Sequence, residues 1–78
     1  MLAELIGGNR HQDVEAATVR GALETAISRH PELAVHVFDE TGEIRPHVSV
    51  FHNERSAQLH AELNDGDAVV VLQAVSGG

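Results

Sequence analysis

Val19, Ala22, Leu23, Ala26, Ile27 and His30 recur at the i, i+3, i+4 spacing of one helix face, and Pro31 stops the pattern. Thr18 is a good N-cap residue type. Arg29 and His30 place positive charge in the last turn, where it suits the helix dipole. Arg20, Glu24, Thr25 and Ser28 fall on the opposite side. The spacing predicts a helix from about Thr18 to His30, the clearest element in the chain. One amphipathic helix has to bury its stripe against something else. In a chain of 78 residues only short β-type runs remain for that purpose.

Those runs flank the helix. Met1 to Ile6 is apolar with one charge and ends at the turn signal Gly7-Gly8-Asn9. Arg10 to Glu15 has weak strand character. Pro31 to Phe38 reads as a short turn of 3₁₀ or α helix, and Asp39 to Glu43 as a turn. His47 to His52 alternates as a strand, with Val48 and Val50 on one face and Ser49 and Phe51 on the other. Asn53 to Ser56 reads as a turn, Leu59 to Leu63 as an irregular connection, and Asn64-Asp65-Gly66-Asp67 as a strong turn signal. Ala68 to Val75 is a final strand, buried on at least one face by its Val69-Val70-Val71-Leu72 run. The order implies an α+β domain, with the helix across one face of a mixed sheet. Its expected core is Val19, Leu23, Ile27, Val48, Val50, Val69 and Val71.

Composition narrows the function. A chain this short buries only about 60% of its unfolded surface, and with no cysteine it has no disulfide to stabilise it. Thiolate catalysis and sulfur-ligated zinc are excluded with the cysteines. Twelve acidic residues against five basic ones, net charge −7, argue against phosphate-backbone binding. No apolar run reaches the ~20 residues of a membrane span, so a cytoplasmic location is expected, with neither nucleic acid nor membrane as partner. All basic residues are arginine, at positions 10, 20, 29, 45 and 55. Without lysine, no side chain can form a Schiff base or accept an isopeptide bond.

The last two residues, Gly77-Gly78, carry the chemistry. They follow the final strand by only a few residues, which sets a carboxylate without neighbouring side chains at a fixed distance from a folded edge. Glycine lacks Cβ, so such a tail can pass through a narrow channel that any side chain would block. A carboxylate is a poor electrophile until activated, and an acyl-adenylate is the usual activation. The expected division is a folded domain over residues 1–72 and a flexible tail over 73–78.

Thr18-Val19-Arg20-Gly21-Ala22-Leu23, His30-Pro31-Glu32-Leu33, Gly42 through Phe51, Leu63-Asn64-Asp65-Gly66-Asp67 and Ala74-Val75-Ser76-Gly77-Gly78 form an ordered set. Across residues 17–78 that set resembles the MoaD/ThiS family of ubiquitin-like sulfur carriers, including the small archaeal modifier proteins. The resemblance implies a β-grasp fold and no enzyme activity of the chain's own. It implies that Gly78 is adenylated by a ubiquitin-activating-type enzyme using ATP and Mg²⁺, with Ser76 and Gly77 threading the channel. It further implies that a sulfurtransferase or cysteine desulfurase converts the adenylate to a thiocarboxylate. A biosynthetic enzyme of molybdopterin, thiamine or tRNA thiolation type then accepts the sulfur. The alternatives are a protein modifier joined through Gly78 to lysines of other proteins, and a non-covalent interaction module. The sequence departs from the family at its start, where most of the first strand is expected to be missing. Either Met1 to Ile6 serves as a short strand, or a partner supplies one, or the true start lies upstream.

Other constellations are weaker. His47 and His52 point to opposite faces of a strand, and no two histidines have the spacing of a helical metal site, so the six histidines read as incidental or structural. Asp65 and Asp67 flank Gly66 as turn residues. Gly7-Gly8 lacks the Lys and Ser/Thr of a phosphate loop, and no Ser-His-Asp set can be nominated. Phe51, Val70 and Leu72 fall on the sheet face away from the helix. They either fold into a tight core or, with Val75, form a partner-binding patch.

Overall fold

A computed structural model describes residues 1–7 and 10–73. Strands β1 (Leu2–Gly7) and β2 (Arg10–Glu15) form an antiparallel pair, followed by helix α1 (Val19–Arg29). A 3₁₀ turn (Pro31–Leu33) leads into the four-residue α2 (Ala34–Val37). Strands β3 (Val48–His52), β4 (Arg55–Ser56) and β5 (Ala68–Gln73) complete a five-stranded mixed sheet in the order β2-β1-β5-β3-β4.

The helix follows its sequence signals. The Thr18 hydroxyl accepts a hydrogen bond from the Gly21 N–H at 3.1 Å, satisfying one of the first-turn donors. The irregular connection satisfies two more: the Val19 and Arg20 N–H groups donate to the Ala61 and Leu59 carbonyls. Val19, Ala22, Leu23 and Ala26 are buried against Ala3, Leu5, Val14, Val48, Val50, Val69 and Val71 of the sheet. Ile27, expected in the core, is half-buried, because it lies beside an open cleft between the end of α1, α2 and the sheet.

The start of the chain requires a correction. Leu2–Gly7 is itself a six-residue strand in the centre of the sheet, so the first strand is not largely missing. It pairs in parallel with β5, Glu4 to Gly7 lying opposite Ala68 to Val71, while β3 pairs antiparallel on the other side. β5 therefore has a neighbour on each edge over Val69 to Val71, by the first of the three arrangements the sequence allowed. The segment's alternation is regular, Ala3 and Leu5 inward and Leu2, Glu4 and Ile6 outward. Its backbone is also tied to the Asn64–Asp67 turn: Leu2 and Glu4 N–H groups donate to the Asp65 carboxylate and the Asp67 carbonyl.

Asn53 to Ser56 is also more ordered than expected. Arg55 and Ser56 pair with His52 and Phe51, leaving Asn53-Glu54 as a two-residue hairpin loop. Both loop residues have positive φ, 50° and 73°. A hairpin of this length favours that backbone because it matches the twist of the strands, although glycine or asparagine carries it at lower cost than glutamate.

Candidate functional site

The described residues follow β5 as far as Gln73. There Gln73 stands opposite Val48, and its amide donates to the His36 carbonyl at 3.4 Å. The strand that carries the C-terminus is the central one of the five, paired with β1 over Ala68–Val71 and with β3 over Val69–Gln73, and its inward side chains join those of α1 in the core. Ala74, Val75, Ser76, Gly77 and Gly78, which include the proposed reactive carboxylate, lie outside the described residues.

The structure brings Phe51, Val70 and Leu72 together on the outer face. Phe51 and Val70 are directly opposed partners of β3 and β5, and Leu72 lies two residues on along β5. Val69 and Val71 turn inward and are buried, whereas Val70 and Phe51 are half-buried and Leu72 is 53% exposed. The parity expected from the alternation holds. A residue the sequence reading missed completes the patch: Ile6 of β1 lies opposite Val70 on its other edge. The row His11–Ile6–Val70–Phe51–Ser56 crosses all five strands, with three large apolar residues at its centre. The strand parity of Leu2 to Ile6 could have placed Ile6 outward. Its neighbour Val70 depends on a parallel register that no local signal encodes. A shallow depression in this face is lined by Phe51, Asn53, Glu54, Ala68, Val70 and Leu72.

Asp65 and Asp67 act as turn residues. Asp67 accepts from His52 Nε2 at 2.7 Å, from the Asn53 side chain at 3.0 Å and from the Asn64 N–H at 2.9 Å. These bonds, that of Asn53 foremost, hold its carboxyl down at about 2. Gly66 between the two acids has φ 88°, a conformation that costs other residues a steric penalty. The network fastens the β3–β4 hairpin to the start of β5, at the end of the strand opposite its C-terminal exit.

One grouping has no counterpart in the sequence spacing. Glu4, His11 and Asp13, on the outer face of β1 and β2, each offer a donor atom within 4.8 Å of the other two.

Comparisons with known proteins agree with this architecture. A family model described as the ThiS family matches residues 2–78. Small archaeal modifier protein 1 of Haloferax volcanii is 37% identical over 79 residues, covering 99% of this chain and 91% of that protein. A crystal structure of the same Haloferax volcanii protein superposes with a TM-score of 0.92 at 29% identity, covering 100% of both chains. A Pyrococcus furiosus protein described as a putative molybdopterin converting factor, subunit 1, gives a TM-score of 0.73 at 26% identity over 95% of this chain and 98% of its own. The fold is the ubiquitin-like β-grasp that the resemblance implied.

Proposed function

The chain belongs to the ThiS family, and from that premise we propose that it is a sulfur carrier whose reactive group is the Gly78 carboxylate. This is a family of small ubiquitin-like carriers and modifiers rather than of catalysts, so the chemistry is done to the chain and not by it. The observation that carries the reading is the placement of Gly77-Gly78 a few residues beyond β5, the central strand of the sheet. A rigid strand next to side-chain-free residues suits delivery of a carboxylate into a partner's channel.

In this reading an adenylating enzyme binds the outer face through Ile6, Phe51, Val70 and Leu72, with Val75 extending the contact, and draws in Ser76 and Gly77. ATP and Mg²⁺ belong to that enzyme. The Gly78 carboxylate attacks the α-phosphate and releases pyrophosphate. A persulfide of a sulfurtransferase or cysteine desulfurase then displaces AMP. Reductive cleavage of the resulting acyl disulfide by a thiol leaves a thiocarboxylate, which a biosynthetic enzyme consumes. The net charge of −7 favours a basic docking surface on the activating enzyme, so association should slow as salt is added. Among the described residues no helix is long and apolar enough to cross a membrane.

A second reading is favoured by the 37% identity to a protein named as a modifier: Gly78 joined by an isopeptide bond to a lysine of another protein. The lack of lysine in this chain prevents conjugates from growing on its own side chains. Intact-mass measurement of the cellular protein separates the two. The mass gain of one oxygen exchanged for sulfur marks the carrier, and a branched diglycine remnant on other proteins marks the modifier. Adenylation that survives deletion of Gly78 would overturn both.

A further inference from the structure

We propose that Glu4, His11 and Asp13 form a binding site for a divalent transition-metal ion of the Zn²⁺ class on the outer face of the β1–β2 pair. The site arises from register. Glu4 and Asp13 are directly opposed partners on the antiparallel ladder, and His11 lies two residues from Asp13 on the same face of β2. His11 Nε2 is 3.6 Å from Glu4 Oε1, and the three donor atoms lie within 4.8 Å of one another. A central ion about 2.0–2.2 Å from each donor fits within that spread after small side-chain rotations, which these exposed residues are free to make.

The charge arrangement points the same way. Two carboxylates directly opposite each other on a ladder repel and weaken the pairing. The arginines of this end of the molecule do not relieve them. Arg29, on α1, reaches β2 only through the Asp13 carbonyl and the Gln12 side chain, and Arg10 approaches His30 and Glu32. The Met1 ammonium is held by Glu15 at 2.7 Å. Among the described residues the Asp13 carboxylate has no hydrogen-bond or ion-pair partner, and His11 is the sole partner of the Glu4 carboxylate. A divalent cation resolves the repulsion that the fold leaves in place.

The donor set selects the class of ion. An imidazole nitrogen with two carboxylates suits zinc and its neighbours, whereas calcium and magnesium take oxygen ligands. Three protein ligands leave further coordination positions open, toward the solvent side. His11 also stands opposite Ile6 in the row that contains Val70 and Phe51. The ion would therefore sit at the border of the apolar patch and could accept a ligand from whatever docks there.

The test is titration of tag-free, metal-stripped protein with Zn²⁺ alone, followed calorimetrically and by thermal denaturation. One ion per chain should bind the wild type and raise its melting temperature. Affinity should fall by about tenfold or more in His11→Ala and in the double variant Glu4→Gln/Asp13→Asn. It should be unchanged in His60→Ala, which removes another exposed histidine. The Glu4→Gln/Asp13→Asn chain should be at least as stable as wild type without metal, because the repulsion is gone, so loss of binding there cannot be ascribed to misfolding. Equal Zn²⁺ affinity in wild type and His11→Ala, or no saturable binding by the wild type, would overturn the proposal.

Discussion

The two faces of β5 are built from nearly the same side chains and have opposite surroundings. Val69 and Val71 are closed off by α1, while Val70 and Leu72, one residue out of phase, open to the other side with Phe51 and Ile6 beside them. A single helix covers a single face. The inner valines stabilise the fold by leaving water. The outer ones make little of that contribution within the monomer, so they remain available to a partner.

The largest expected effect comes from the inner face. Leu5→Ala removes a buried side chain of β1, the neighbour of Val69 on the face that packs with α1, and should cost about 2–5 kcal/mol, a large share of the ~5–15 kcal/mol available to a small domain. Chemical denaturation measures it, and a loss below about 1 kcal/mol would mean that the inner face packs loosely. On the outer face, Leu72→Glu should change stability by no more than about 0.5 kcal/mol. It should weaken docking to an activating enzyme by about tenfold or more, because a charge would be left at a desolvated contact. Unfolding of that variant would erase the distinction between the faces.

A smaller effect is expected at the polar rim of the inner face, where Asp67 joins His52, Asn53 and Asn64. Its carboxyl is held at about 2 in the fold against 3.8 ordinarily. A group lowered on folding contributes stability that is complete above the ordinary value and is lost as pH falls through the folded one. The wild-type melting temperature should therefore drop between about pH 4 and pH 2. Asp67→Ala should start lower at neutral pH and show a shallower drop. Parallel curves would remove the network from the account of stability. The smallest effect is at the hairpin loop, where Glu54 has φ 73°. Glu54→Gly should raise stability by about 0.5–1 kcal/mol by relieving the left-handed conformation. No gain would show that the glutamate's own contacts offset the strain.

Where a signal was local, the residues alone were enough. Thr18, the apolar stripe and Pro31 set the limits of α1, and the alternation of Val48 to Phe51 set which side of β3 faces the helix. The reading fell short wherever an element depends on a distant partner. Arg55-Ser56 is a strand only because Phe51 and His52 lie beside it. Met1 to Ile6 looked too short for a central strand because its support comes from β5 and from the turn at Asp65 and Asp67, more than sixty residues away. Ile6 joined the patch, and Glu4, His11 and Asp13 came together, for the same reason.

Periodicity, caps and turn residues act over a few positions, so the sequence by itself determined the helix and the inward and outward sides of β3 and β5. Strand order and register are settled by which long-range pairings bury the most apolar surface while satisfying every backbone donor. Only the tertiary structure could therefore decide which outward residues become neighbours.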